Sequence, residues 1–274
     1  MSERALWLVV GVVLLAALTW FGVRRRGRSK QLREPFPPAW RNLLERSVPL
    51  YRKLPGDLRS RLEPHVREFL LDVDFIGCQG LAVTDEMRLV IATQACLLIV
   101  GSRAGKFRSL YSVLLYPEEF VVAEKDEDEA GVVTEGTRAL SGQTFETSRI
   151  VLSWRDVQEG SAEDEAYNVV LHEFAHYLDH SVGGALTKPS SRHRALERWH
   201  AVLSREYEAL CDAVDAGEPT LIDPYGAEHL EEFFAVATET FFELPRELQR
   251  LHSHLYAELS RFYGLDPASW PVTA

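Results

Sequence analysis

The five residues HEFAH at 172–176 carry the clearest chemistry in this sequence. The two histidines, His172 and His176, are about one helical turn apart and would therefore share one face of a helix. Two imidazoles on one face can bind a single Zn²⁺ ion at about 2 Å. Glu173 is then placed to accept a proton from a zinc-bound water. The motif predicts a metal-dependent hydrolytic site with Zn²⁺ as its cofactor.

The residues around the motif favour this interpretation over a pair of surface histidines on an amphipathic helix. The segment AYNVVLHEFAHYLDH, at 166–180, is a continuous helical pattern without Pro or Gly. The acidic run at 163–165 suits the start of a helix, where the helix dipole favours negative charge. We therefore expect the motif to lie on a helix over about 162–180.

A third ligand is expected from a second helix downstream, within PYGAEHLEEFFAVATETFF at 224–242. Glu231, Glu232 and Glu239 are the candidates, since burial of this Phe- and Ala-rich helix would direct some of its carboxylates towards the site. The alternative pattern, with a third histidine soon after the second, is absent. His180 remains a conceivable ligand in place of one of the others.

The same stretches resemble the Mlc titration factor A (MtfA) family of zinc peptidases. The resemblance is carried by NVVLHEFAHYLD at 168–179, by DPYGAEHLEEFFAVATETFF at 223–242 and, more weakly, by LSWRDVQEG at 152–160, and it runs from about Phe36 to the C-terminus. It implies that Glu232 is the third zinc ligand and that Tyr225 assists catalysis. A tyrosine hydroxyl near the scissile carbonyl would stabilise the developing oxyanion.

Two features differ from the family pattern. The sequence HSVGG at 180–184 replaces an acidic loop, which affects the expected substrate preference, and the founding member has no membrane anchor. Three further residues have two possible roles. Asp179 could orient a ligand histidine or be a helix-end carboxylate, Glu239 could orient a histidine instead of binding metal, and Asn168 could support the site or lie on the surface.

The elements expected to position these residues give an α+β, zincin-like metallopeptidase domain that is mostly helical, with a small β-sheet, behind one N-terminal transmembrane helix. Short, β-branched segments between Ser109 and Trp154 predict the strands. Besides the metal helix, helices are predicted at 40–51, 58–71, 85–100, 191–216, 227–243 and 245–263. Thr84 or Asp85 would cap the helix over 85–100, and Gly101 would end it.

The N-terminus predicts a membrane anchor. The uncharged stretch Ala5–Val23 could form a helix of about 28 Å, close to the thickness of the bilayer core. The basic cluster RRRGRSK follows at 24–30, which predicts a cytoplasmic location for the rest of the chain. A cleaved secretory signal would carry its positive charge before the apolar run. We therefore expect an anchor at 1–23, a basic, Pro-rich linker at 24–38 and a peptidase domain at 39–274, on the inner membrane.

Composition excludes several other classes. The net charge of −11 disfavours nucleic acid as a partner, because nucleic-acid binding needs basic residues. The 3 cysteines are far apart and odd in number, which argues against a disulfide framework.

We therefore expect a zinc peptidase anchored to the cytoplasmic face of the membrane, acting on a peptide or protein substrate as an endopeptidase or an aminopeptidase. The alternative is a regulatory protein that sequesters a transcriptional repressor, because the resemblance implies that such a partner is possible.

Overall fold

The structure is a computed structural model. It describes residues 34–101, 107–118, 148–160, 167–187 and 197–271, with Leu32 and the strand backbone at 120–127, 133–140 and 142–145. The chain divides into two compact units, Met1–Pro37 and Pro38–Ala274. The predicted anchor at 5–23 and the basic cluster at 24–30 lie outside the described residues. Within the described ranges, none of the helices has both the length and the apolar character needed to cross a bilayer.

The second unit is mostly helical. In chain order the described helices are α1 (Pro38–Ser47), α2 (Pro49–Lys53), α3 (Gly56–Asp72), α4 (Asp85–Val100), α5 (Trp154–Glu159), α6 (Val169–Ser181), α7 (Glu197–Asp215), α8 (Leu230–Glu243), α9 (Pro245–Leu251) and α10 (Ser253–Tyr263). Helix α6 carries the HEFAH motif, and α8 carries the downstream glutamates.

A small four-stranded sheet accompanies the helices. Strands β1 (Asp74–Gly77), β2 (Ser112–Tyr116) and β6 (Arg149–Ser153) run parallel to one another, in the order β1-β2-β6. Strand β5 (Gly142–Phe145) runs antiparallel to β6 at the other edge. Strands β3 (Phe120–Glu127) and β4 (Val133–Leu140) form a separate antiparallel pair. The predicted α+β class, mostly helical with a small sheet, is therefore confirmed and fits a zincin-like metallopeptidase.

Helix α4 is the apolar centre of the domain. Every residue from Leu89 to Val100 is buried, and the helix packs against both α3 and α6. The Thr84 hydroxyl accepts a hydrogen bond from the amide of Met87, which satisfies one of the free amides at the start of the helix. Thr93 and Gln94 are polar residues on this helix that are buried among apolar side chains. Burying a polar group is unfavourable unless it is hydrogen-bonded.

Several predicted boundaries differ from the structure. The predicted helix over 40–51 is two helices, since Val48 is extended between them. The predicted helix over 245–263 is also two, α9 and α10, because His252 leaves the helical conformation at φ −126° and ψ 53°. Strand β1 was not predicted, since its 4 residues are too few for an alternating pattern. Strand β5, of the same length, lies within the predicted β region but has no predicted segment of its own.

Helices α6 and α8 pack directly against each other, and this contact brings together two parts of the sequence that carry chemistry. Both helices bury large aromatic side chains beneath their polar faces, among them Phe174 on α6 and Phe233, Phe241 and Phe242 on α8. This burial fixes the rotation of each helix about its axis. The polar faces of the two helices therefore meet at one place.

Candidate metal centre

Three side chains from α6 and α8 converge on one point. The Nε2 atoms of His172 and His176 are 3.1 Å apart, and they lie 3.1 Å and 3.2 Å from Oε2 of Glu232. Across the described ranges, this trio is the set of His, Cys, Asp and Glu side chains whose ligand atoms are close enough to share one ion. The structure thus brings together the two motif histidines and one of the three candidate glutamates.

The spacing of these atoms fits a metal ion. Ligands at about 2.0 Å in a tetrahedral arrangement are about 3.3 Å from one another, close to the observed separations. The side chains of His172, His176 and Glu232 are 13%, 14% and 20% exposed, so one side of the group faces solvent. Two imidazoles and one carboxylate could therefore hold an ion and leave a position for an exchangeable ligand.

The other ring nitrogen of His172 is held by Glu239. Its Nδ1 lies 2.7 Å from Oε1 of Glu239, which favours the tautomer in which Nδ1 donates to the carboxylate. In that tautomer the lone pair of Nε2 is directed at the shared point. Glu239, seven residues after Glu232, therefore orients His172 and is not one of the three side chains that could bind the ion.

The electrostatics of the group favour a cation. Burial alone would lower the pKa of His172, but its hydrogen bonds to Glu232 and Glu239 raise the pKa well above the usual value. Burial alone would raise the pKa of Glu232, but hydrogen bonds from His172 and His176 lower it well below the usual range. Both shifts arise because carboxylates surround the imidazoles closely, and the same arrangement attracts a metal cation.

Asn168 connects the metal helix to the interior of the domain. Its Oδ1 accepts a hydrogen bond from the amide of Leu171, which caps the start of α6. Its own backbone amide donates to Oε2 of Glu239. Its Nδ2 donates to Gln94 at 2.6 Å and to Glu243 at 2.8 Å. Asn168 is only 2% exposed, so it is a buried support of the site and does not lie on the surface.

The ionisation of Glu243, which accepts a hydrogen bond from Asn168, should affect stability. Burial and, to a smaller extent, the negative charge of Glu239 raise its pKa to about 7, against the opposing effects of Asn168 and Lys53. Below its unfolded pKa of 4.5 the carboxyl is protonated in both states, and no stability is lost. As the pH rises from 4.5 to 7, the folded state alone retains the proton and becomes less stable relative to the unfolded state.

We therefore expect Glu243→Gln to stabilise the protein at pH 8 by about 1–2 kcal/mol, a value reduced because the side chain is partly exposed. The gain should shrink at pH 5, because the wild-type carboxyl is then neutral in the folded state. Urea unfolding at both pH values measures the difference. Glu247→Gln, at an exposed position on α9, is the matched control and should show no such pH dependence. An equal gain at both pH values would contradict the role assigned to Glu243.

Glu173 lies on the metal helix between the two histidines in sequence and is only 5% exposed. Its negative charge acts on His172 and contributes to the raised pKa of that imidazole. The carboxylate therefore lies within electrostatic reach of the group that could bind the ion. A buried carboxylate beside an exchangeable ligand position is suited to proton transfer.

Tyr225 approaches the group from a short 3₁₀ turn, Pro224–Ala227, that precedes α8. Its ring centroid is 6.1 Å from that of His172, and the side chain is 37% exposed. Gly226 allows this approach. A Cβ at that position would lie 2.6 Å from a methyl carbon of Val236 and 3.3 Å from Cα of Phe233, both on α8. The turn can therefore lie against α8 only because residue 226 has no side chain.

Asp179 supports a loop and not a histidine. Its carboxylate accepts hydrogen bonds from the amides of Leu186 and Thr187 and from the Thr187 hydroxyl, at 2.8, 3.2 and 2.6 Å. The proposed contact with a ligand histidine is therefore not made, because the carboxylate is used to order the chain that leaves α6. His180, the other possible ligand, is exposed near the end of α6 and is not part of the converging group.

A comparison with protein families gives the wider context of this geometry. The family model described as glucose-regulated metallo-peptidase M90 matches residues 22–264. The chain belongs to the M90 metallopeptidase family. The match begins upstream of Phe36, where the resemblance was expected to start, and it includes the whole of the converging group. Membership of M90 implies a bound metal ion, for which the His-His-Glu group is a fitting set of ligands.

Individual relatives confirm the expected resemblance to the Mlc titration factor A proteins. The protein of that name from Serratia proteamaculans is 34% identical over 83% of this chain and 87% of its own. Its namesake from Pectobacterium atrosepticum is 34% identical over 81% and 84% of the two chains. An uncharacterized protein from Synechocystis is 37% identical over 88% and 89%.

Some residues that shape this M90 site were not identified from the sequence. Gln94 and Glu243 lie far from the motif in the chain, and neither is part of a recognisable pattern. Gly226 could have been noticed, because glycine is favoured where another part of the chain must approach the backbone closely. Asn168 was noted four residues before His172, and as a helix N-cap it has a residue type that is strongly preferred there.

Proposed function

We propose that this protein is a zinc-dependent peptidase that hydrolyses peptide bonds, with His172, His176 and Glu232 as the zinc ligands. The observation that supports it most directly is the convergence of these three side chains beside the buried Glu173. Two histidines, one carboxylate and an open position are typical of catalytic zinc sites. When bound there, zinc would supply Lewis acidity, polarising a carbonyl and lowering the pKa of water.

Glu173 is proposed to act as the general base and then the general acid. Its carboxylate accepts a proton from the water that attacks the peptide carbonyl, and donates that proton to the nitrogen of the leaving amine. Glu239 keeps His172 in the required tautomer throughout, since it holds the Nδ1 proton. The proton therefore passes from the water through Glu173 to the leaving amine, and the histidines do not take part in the transfer.

Tyr225 is proposed to donate a hydrogen bond to the oxygen that becomes negative when the carbonyl is attacked. We expect Tyr225→Phe to lower kcat by about 100-fold, with a smaller change in KM, because the lost hydrogen bond strengthens only in the transition state. Steady-state kinetics on one fixed peptide would measure both parameters. Tyr111→Phe, which removes a hydroxyl from another exposed tyrosine, is the control and should retain activity. A Tyr225→Phe enzyme with wild-type kcat would remove this residue from the mechanism.

The substrate backbone is proposed to lie along strand β5. This strand is at the edge of the sheet, contacts α6 and runs antiparallel to β6. An extended peptide can pair with such an edge through main-chain hydrogen bonds, which tolerate many side chains. An extended peptide beside α6 would pass close to Glu173 and the zinc ligands.

The proposed activity can be tested with the purified full chain and a mixture of peptides analysed by mass spectrometry. We expect hydrolysis that stops when a chelator removes the metal and returns when Zn²⁺ is added. Internal cleavage would identify an endopeptidase, and stepwise loss of N-terminal residues would identify an aminopeptidase. Absence of hydrolysis by the zinc-loaded chain across the mixture would count against the proposal, as would hydrolysis that resists the chelator.

A regulatory binding role is the second candidate, because the curated relatives are named as titration factors for Mlc. By analogy, this chain would sequester a transcriptional repressor without cleaving it. The Glu173→Gln variant distinguishes the two roles in a pull-down with a repressor of the Mlc type. Capture without cleavage by both forms favours sequestration, whereas cleavage by the wild type alone favours the peptidase.

We also propose that residues 5–23 anchor the chain in the inner membrane, with the peptidase domain in the cytoplasm. The proposal is supported by the uncharged stretch and by the basic residues that follow it. Alkaline carbonate washing of membranes tests it directly. The full-length chain should remain in the membrane pellet, and its release into the supernatant would rule out a transmembrane anchor.

A further inference from the structure

Asn168, His172 and Glu239 form a closed ring of hydrogen bonds at the start of α6. The backbone amide of His172 donates to the carbonyl of Asn168 at 3.0 Å, and the imidazole of His172 bonds to Oε1 of Glu239 at 2.7 Å. The ring is closed by the backbone amide of Asn168, which donates to Oε2 of the same carboxylate. One residue therefore contacts both the backbone of His172 and the carboxylate that orients its imidazole.

The side chain of Asn168 fixes the position of the backbone atoms that belong to this ring. Its Oδ1 accepts from the amide of Leu171 at 3.1 Å, and its Nδ2 donates to Oε1 of Gln94 at 2.6 Å and to Oε1 of Glu243 at 2.8 Å. The oxygen and both N–H groups of the carboxamide are thus all used. A displacement of this side chain would move the amide and the carbonyl that hold His172.

Asparagine meets a requirement here that exceeds capping of the helix. Serine and aspartate cap helices about as well as asparagine does, because a cap needs only an acceptor oxygen. The Asn168 side chain must also donate, because it faces an amide oxygen on α4 and a carboxylate oxygen on α8. A carboxamide has an acceptor and a two-fold donor, and it therefore joins three helices at the start of α6.

Gln94 is buried on α4 in a way that packing alone does not explain. Its Oε1 accepts from Asn168, whereas its Nε2 is buried without a hydrogen-bond partner among the residues that the structure describes. A buried amide nitrogen without a partner is unfavourable for folding, so an apolar side chain would suit the core better. The feature that distinguishes glutamine from such a side chain at this position is its hydrogen bond to Asn168.

We propose that Asn168, held in place by Gln94 and Glu243, is a positioning residue that fixes both the backbone and the ring of His172 and thereby increases the metal affinity of the centre. The inference rests on the proposed function, in which Nε2 of His172 binds zinc. Asn168 acts on that nitrogen indirectly, through Glu239 and through the backbone of α6.

Asn168→Ser tests this role, because serine still caps a helix but is too short to bond to Gln94 and Glu243. Competition with a chromophoric chelator should show zinc binding weakened by about 10- to 100-fold, the loss typical when an outer partner of a metal ligand is removed. In the zinc-loaded protein, the Nδ1 proton of His172 should exchange with water faster than in the wild type, as measured by NMR. A purely structural role for Asn168 would change neither quantity.

The double variant Asn168→Asp/Glu243→Gln exchanges donor and acceptor without a change of net charge. The new carboxylate can cap α6 and accept from the new amide at position 243, and rotation of the Gln94 amide would direct its unpaired NH₂ at the same carboxylate. Zinc affinity should therefore lie within about threefold of the wild type, because the polar contacts are restored. Asn168→Asp alone leaves two carboxylates facing each other and should bind zinc more weakly, although added negative charge by itself favours a cation.

Gln94→Leu tests the contact from α4, and Thr93→Val is its control. The Thr93 hydroxyl is also buried without a partner among the described residues, so its removal changes the same helix without touching Asn168. Gln94→Leu should weaken zinc binding while the urea midpoint of unfolding changes little, because the substitution removes an unpaired amide as well as a hydrogen bond. Thr93→Val should leave zinc affinity unchanged.

Three results would overturn the positioning role in a chain that binds zinc. They are wild-type zinc affinity in Asn168→Ser, failure of the double variant to recover affinity, and a Gln94→Leu variant that loses stability but keeps its affinity. Failure of the wild type to bind zinc would be a different result, since it would overturn the proposed zinc ligands themselves. Circular dichroism of each variant separates loss of zinc binding from loss of fold.

Discussion

Replacement of Glu173 by Gln should abolish peptide hydrolysis while leaving the bound metal in place. We expect kcat to fall by at least about 10³-fold, since the amide cannot accept the proton of the attacking water or deliver it to the leaving amine. Gln has nearly the same shape as Glu, and His172, His176 and Glu232 are unchanged. Metal content, measured by mass spectrometry of the dialysed protein, should therefore remain close to that of the wild type.

Glu208→Gln provides a matched control, because it makes the same chemical change at an exposed position on α7. It should alter neither activity nor metal content. A Glu173→Gln enzyme that retained peptidase activity would falsify the assignment of Glu173 as the base, even if the chain proved to be a zinc peptidase. Loss of activity together with loss of metal would instead indicate that Glu173 holds the centre together.

Replacement of Glu232 by Gln should have the second-largest effect, on metal binding. Glu232 Oε2 lies within 3.2 Å of both imidazole nitrogens, so the substitution removes one of three ligands and the only negative charge among them. Removal of an outer hydrogen-bonding partner of a metal ligand typically weakens metal binding by roughly 10- to 100-fold. Replacement of Glu232 itself should weaken metal binding by more than that. Competition with a chromophoric chelator measures the affinity.

Glu231→Gln is the control for this substitution, because it changes the adjacent residue on the same helix. The charge of Glu231 acts on Tyr207, on α7, and Glu231 is not part of the converging group. Metal affinity should therefore be close to that of the wild type. If Glu231→Gln lost the metal and Glu232→Gln retained it, the geometry described for α8 would be wrong.

The sequence predicts the existence of the metal helix because its signal is local: HEFAH places the two histidines within one turn. The predicted start at about 162 is wrong, since the helix begins at Val169 and Asn168 caps it. Helix α4 was predicted at its observed bounds for the same reason, with Thr84 before it and Gly101 after it. Local signals of this kind do not depend on the rest of the fold.

The choice among Glu231, Glu232 and Glu239 could not be made from spacing alone. It depends on how α8 is rotated about its axis and on which of its turns faces α6, and both are fixed by burial of the phenylalanines along α8. The same limit applies to Asn168, whose partners Glu239, Gln94 and Glu243 are 71, 74 and 75 residues away in the chain. Contacts of that separation are properties of the tertiary structure.

The order of the three converging side chains along the sequence also has a consequence for the newly made chain. When the ribosome has synthesised only the HEFAH segment, two of the three donors exist, and Glu232 is still 56 residues beyond His176. The partner that orients His172 follows later still, 67 residues after it. High affinity for the ion therefore arises only when α8 has docked beside α6, so metal uptake and completion of the fold become one cooperative event. Under the proposed peptidase function, an unfinished chain would lack hydrolytic activity until α8 has been synthesised and has docked.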